Sequence, residues 1–181
     1  MDRTPDRHAA EEQFRTVFSH LGAVVAYARR RGSRDADAIA AEAMTIAWRR
    51  LADVPADNPL PWLYATARNL VWAEARRRTA ATASCAQEPE QSADPPELPE
   101  LDPELSRALR SLSRFDLEAL LLVAWEDLTP SQAAKSLGIN PTAFRVRLLR
   151  ARRRLRARLD ASSGDGQCAS PAAGLEVEGT P

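Results

Sequence analysis

Eight of the fourteen residues from Arg145 to Arg158 are arginine. A guanidinium is permanently charged and presents a flat fork of N–H donors that matches phosphate oxygens and the edge of guanine. The chemistry within reach is recognition of a polyanion, with no bond made or broken. A second cluster, "WLYATARNLVWAEARRR" from Trp62 to Arg78, interleaves Trp62, Tyr64 and Trp72 with Arg68, Arg76, Arg77 and Arg78. Aromatic faces beside arginines suit unstacked single-stranded bases, each stacked base being worth roughly 1–3 kcal/mol. The same tryptophans suit a packed core.

Catalytic chemistry has little to work with. The two histidines, His8 and His20, sit near the N-terminus, and no HExxH, GxGxxG or GxxxxGK[ST] pattern occurs. The acids of the folded stretches are scattered. The expectation is a non-enzyme with no catalytic residues, no metal and no cofactor. Cys85 and Cys168 lie in polar stretches outside any CxxC pair and read as surface thiols. The longest apolar run, Ala119–Trp125, is far too short to span a bilayer. The first residues, "MDRTPDRHAAEEQF", are polar and acidic, unlike a secretory signal. A cytoplasmic protein with no membrane partner is expected.

The formal net charge of zero conceals a segregation. Residues 14–80 carry eleven Arg and six acids; 85–104 carry seven acids and no base. Residues 105–160 carry twelve Lys/Arg and five acids; 161–181 carry three acids and no base. Two basic blocks separated by an acidic spacer fit a polyanion that touches both.

The elements that must position these residues read as helices, with no convincing strand alternation. The fold class expected is all-α: two small helical domains joined by an acidic, Pro-rich linker. The boundaries are 9–80, a flexible linker 81–103, 104–160, and a disordered tail 161–181. In the first domain, Phe14, Val17, Phe18, Leu21, Val24, Val25 and Ala28 recur at three- and four-residue steps and predict one helix. A second carries Ile39, Ala43, Ile46, Ala47, Arg50 and Leu51. Asn58 and Pro59 suit the N-cap and first position of a third. The second domain opens with helices near 103–112 and 115–126, with Leu117, Leu120, Leu121, Val123 and Ala124 as core. Thr129, Pro130 and Gln132 form a capping-box start for a helix ending at Gly138. Asn140 and Pro141 start the last helix, expected to reach about Leu159.

A short helix, a tight turn after glycine and a long basic helix describe a helix-turn-helix. Phe144, Leu148, Ala151, Leu155 and Leu159 share one face of the last helix and should be buried. Thr142, Arg145, Val146, Leu149, Arg150 and Arg153 point away. The earlier of these are placed to reach base edges, the later to neutralise phosphates.

The order and spacing of the two halves resemble an extracytoplasmic-function sigma factor, a small subunit of bacterial RNA polymerase in the sigma-70 family. "DADAIAAEAMTIAWRRL" with "PWLYATARNLVWAEARRR" looks like the family's region 2, a three-helix unit. "LTPSQAAKSLGINPTAFRVRLLRARRRLRARL" looks like its region 4, a four-helix unit. The resemblance implies a protein that directs core RNA polymerase to promoter DNA. The −35 element would be read as duplex by Asn140, Thr142, Arg145, Val146, Arg147, Leu149, Arg150 and Arg153. The −10 element would be opened and held as single strand by Asn58, Trp62, Tyr64, Arg68, Asn69, Arg76, Arg77 and Arg78, with a flipped base near the loop 52–61. Polymerase would be met by Asp37, Ile39, Glu42, Trp48 and Arg49, and an anti-sigma factor is a further expected partner. Ala38 and Ala41 stand where the family pattern carries Asp and Gln, and Ala143 replaces its recognition-helix Thr. The alternative is a stand-alone helix-turn-helix regulator of duplex DNA, which would not need the first domain.

Overall fold

The stretch whose apolar spacing predicts one N-terminal helix is two: α1 (Arg7–Phe18) and α2 (Leu21–Arg30). The Ser19 hydroxyl donates to the Thr16 carbonyl at 2.7 Å, and the His20 N–H tightens onto Val17, three residues back. Side-chain bonds of this kind compete with helix continuation. Val17, Val24 and Ala28 are buried, but Phe18 stays half-exposed. α2 stops at Gly32, whose φ of 74° no side chain adopts readily, and the Ser33 N–H bonds the Ala28 carbonyl across the turn.

α3 (Ala36–Arg49) is capped by Asp35, which accepts from the Ala38 N–H at 2.9 Å. Its inner face is lined by Ala36, Ala40, Ala43 and Ala47, all buried, so its neighbours α2 and α4 approach closely. After a 3-10 turn (Leu51–Asp53), α4 runs Leu60–Thr82. It begins one residue later than the Asn58–Pro59 pair predicts: the first bond is Leu63 N–H to the Pro59 carbonyl, so Pro59 stands at the cap. Because α4 runs on to Thr82, Arg76–Arg78 lie inside the helix.

In this computed structural model the described residues are 7–82 and 101–165, and among them the protein is all-α. The acidic spacer from 83 to 100, Cys85, and the tail from 166 with Cys168 fall outside them. The second half holds α5 (Pro103–Arg110), α6 (Arg114–Ala124), α7 (Pro130–Leu137) and α8 (Pro141–Asp165). Asp102, Ser113 and Thr129 cap the first three, Thr129 with the reciprocal Gln132 bond of a capping box. The Asn140 side chain accepts from the Thr142 N–H at 2.7 Å to open α8. α8 continues past Leu159, so residues 161–165, expected to start a disordered tail, extend the helix. Leu117, Leu120 and Leu121 are buried as the apolar pattern predicts, whereas Ala124 at the end of α6 is exposed.

The buried residues of both halves form one continuous cluster, with α4 against α7 as the largest contact between them. No described helix is long and apolar enough to cross a membrane.

Candidate nucleic-acid interface

The glycine that ends α7 sets where α8 begins. Gly138 has a φ of 65°, and the Ile139 N–H bonds the Ala134 carbonyl at 3.1 Å, closing α7 in the turn of a helix-turn-helix. Phe144, Leu148 and Ala151 then bury themselves, and Leu155 and Leu159 are half-buried. Thr142, Arg145, Val146, Leu149, Arg150 and Arg153 are exposed on the opposite side, as is Asn140 at the cap.

Two arginines of α8 are not on that face. Arg154 is hydrogen-bonded to Asp116, and Arg147 lies 3.7 Å from the same carboxylate and over the Phe115 ring. Asp116 is buried, so these cations neutralise a charge inside the domain. Arg147, expected to contact DNA, is instead a strut between α6 and α8.

The expected single-strand residues divide more sharply. Asn69, Arg76 and Arg77 are exposed, and Asn58 is half-buried. Tyr64 is 4% exposed and its ring stacks on Tyr27, centroids 4.8 Å apart. Burial, and then the carboxylate of Glu126, push the Tyr64 phenol up to about 12. Arg68 donates from Nη1 to the Ser136 carbonyl at 2.7 Å, while Ser136 Oγ donates to the Pro61 carbonyl at 2.9 Å. Trp62 is half-buried. Trp72 is covered by Arg68 and Arg114, with Phe115 edge-on. Arg78 donates to the Gly32 carbonyl at 3.5 Å. So α7 and the start of α6 lie on the face of α4 that was expected to meet bases.

What closes the halves is a buried charge network that sequence reasoning missed. Arg31 bridges Glu118, at 3.2 Å, and Glu126; Arg30 also pairs with Glu126. The side chains of Arg31, Glu118 and Glu126 are each 5% exposed or less. Tyr27 donates its O–H to Glu118 at 2.7 Å, and the Arg31 guanidinium lies 3.9 Å over the Tyr27 ring. Burial lowers the Arg31 pKa, but Glu118 and its other neighbours more than reverse this. Burial and Glu118 hold the Tyr27 phenol well above its ordinary value. The available signal was an acid, Glu118, inside the apolar run of α6. Nearby, burial and then Arg76 depress the Arg114 pKa.

Among the residues expected to meet polymerase, Asp37, Glu42, Trp48 and Arg49 are exposed on α3. Ile39 is buried at 6% exposure and cannot serve there. Trp48, half-exposed, packs edge-on against Phe14, and beside it Phe18 and Leu21 line an apolar groove. Among the described residues, no group of three His, Cys, Asp or Glu side chains could hold a metal ion.

The fold and this face define a class: two packed helical units, the second a helix-turn-helix with a cationic second helix. Comparison makes the class particular. Residues 103–155 match the family model "Sigma-70, region 4". Two solved structures are similar over most of the chain. One is the sigma factor RpoE in complex with the anti-sigma factor NepR from Bartonella quintana, with a TM-score of 0.60 and 23% identity, covering 81% of this chain and 95% of that one. The other is CnrH in complex with the cytosolic domain of CnrY, with a TM-score of 0.56 and 25% identity, covering 86% and 97%. No curated protein matches by sequence. The comparisons thus give a region 4 match over residues 103–155 and a likeness of fold over most of the chain.

Proposed function

We propose that this chain is a sigma factor that brings core RNA polymerase to specific promoters and starts transcription there. The observation that carries the reading is the region 4 helix-turn-helix standing in one chain with a first half of matching fold. α8 reads the −35 element as duplex: Asn140, Thr142, Arg145, Val146, Leu149 and Arg150 face the groove, and Arg153 the backbone. α4 and the loop 52–61 hold the −10 strand, with Asn58, Trp62, Arg68 and Asn69 nearest the extruded base and Arg76 and Arg77 on phosphates. Asp37, Glu42, Trp48 and Arg49 on α3 meet the polymerase. A proteinaceous inhibitor fits the same reading, since RpoE was solved with an anti-sigma factor.

In this division Arg145 contributes to discrimination, and a bidentate contact to guanine is worth about 1–3 kcal/mol. The test is to sequence the 5′ ends of RNA made by core polymerase with and without the chain. Start sites that appear only with it, sharing elements near −35 and −10, support the reading. A chain that never binds core polymerase yet binds duplex DNA tightly alone is a stand-alone regulator instead.

A further inference from the structure

The outermost strip of α8 is apolar at its centre. Val146 and Leu149 are 43% and 60% exposed, Leu149 the more open of the two, at the start of the arginine-rich part of the helix. With Thr142 before them and Arg153 after, they form one line at three- and four-residue steps, directly opposite the buried Phe144–Leu148–Ala151 stripe. Arg145 and Arg150 flank this line on either side, and neither forms an ion pair among the described residues. No element among the described residues covers the strip.

An apolar strip fenced by cations fits a partner that is polyanionic at its edges and apolar at its centre. The major groove of duplex DNA is such a surface: phosphates border it, and its one apolar group is the 5-methyl of thymine. Val146 and Leu149 are separated by about 4.5 Å along the helix axis, and stacked bases by about 3.4 Å. The two side chains therefore reach neighbouring base pairs.

We propose that Val146 and Leu149 are specificity-determining residues that select thymine at two neighbouring base pairs of the −35 element by covering its 5-methyl groups. This rests on the sigma-factor reading and names what that reading leaves open, the base preference at the centre of α8.

The test uses polymerase holoenzyme assembled with the full chain. The upstream duplex is taken from the start sites found by RNA 5′-end mapping and synthesised with thymidine or with deoxyuridine, which lacks only the methyl. At two neighbouring positions, deoxyuridine should weaken binding about fourfold each, the factor that about 0.8 kcal/mol per buried methylene-sized group corresponds to. Val146→Ala should abolish the difference at one of these positions and Leu149→Ala at the other. Both sites are exposed and helical, so circular dichroism should show an unchanged fold. Equal binding of both duplexes by the unsubstituted holoenzyme overturns the proposal, as does a methyl effect undiminished in both variants. Initiation at specific promoters with no methyl effect removes this inference alone. Absence of any promoter-dependent initiation removes the proposed function and this inference with it.

Discussion

Adjacent arginines of α8 have opposite surroundings. Arg153 projects from the exposed face, while Arg154 reaches back to the buried Asp116. Arg153→Ala should weaken duplex binding evenly across sequences and reduce its salt slope by about one, the signature of one lost phosphate contact. A sequence-selective loss would contradict that role. Arg154→Ala should instead lower stability in urea unfolding by up to about 2 kcal/mol, because a buried carboxylate loses a charged partner and keeps only Arg147 nearby. The tyrosines offer a second test at this scale. Tyr27 and Tyr64 are the only two in the chain and stack on one another. Both phenols are raised, so the neutral form is the one the fold favours. Their contribution to stability is complete below pH 10, the ordinary phenol value, and is lost as pH rises through about 12 for Tyr64. Absorbance titration of the folded protein should show no phenolate near pH 10. Titration of either tyrosine at its ordinary value would mean that its phenol is not buried in solution.

The elements follow from local chemistry that is written in the chain. Gly138 must sit at a positive φ, and a Cβ there would meet nothing within 4 Å, so Gly138→Ala adds backbone strain without a clash. That strain costs about 1–2 kcal/mol, and Asn140→Ala, losing the cap bond, about 1 kcal/mol. Thermal unfolding should show both losses, and the double variant should lose more than either. A double variant as stable as the parent would mean that the turn does not fix the start of α8. These caps, and the buried stripe of α8, were legible because each is set by residues within one helical turn of each other. The break between α1 and α2 was not. The apolar spacing of Phe14, Val17, Phe18, Leu21 and Val24 is compatible with one helix, and only the bonds around Ser19 and His20 show that the chain steps there. Ile39 illustrates the same limit: its place on the α3 stripe was visible, but its resemblance-based role ignored that a stripe residue is spent on the core.

At the scale of the whole molecule the placement of one half on the other was not legible, because the contacts join residues 68 to 96 positions apart. Tyr27, Arg30 and Arg31 meet Glu118 and Glu126, and Arg68 meets Ser136, with no pattern in the intervening chain to announce it. The consequence for function is steric. While α7 lies on α4, Tyr64 is sealed and Arg68 is engaged, so the proposed hold on a single strand along that helix requires α7 to move off it. The interface carries its own weakness: Arg30 Nε and Arg68 Nε are buried without a hydrogen-bond partner among the described residues. Orphaned donors of this kind each cost about 1–3 kcal/mol. The centre of the clasp is Arg31, and removing it leaves Glu118 without its guanidinium and Glu126 with only Arg30. Truncating one member of a buried ion pair costs about 3–5 kcal/mol, and here most of that cost can be relieved by the halves parting and the carboxylates meeting water. Arg31→Ala should therefore increase the radius of gyration in small-angle scattering while leaving the helical content unchanged. It should also raise affinity for a single-stranded −10 oligonucleotide several-fold, because the α4 face is uncovered, and leave duplex −35 binding by α8 unaltered. If scattering reports the opening and single-strand affinity does not rise, the face of α4 bearing Tyr64 and Arg68 is a packing surface and the −10 strand must be held elsewhere.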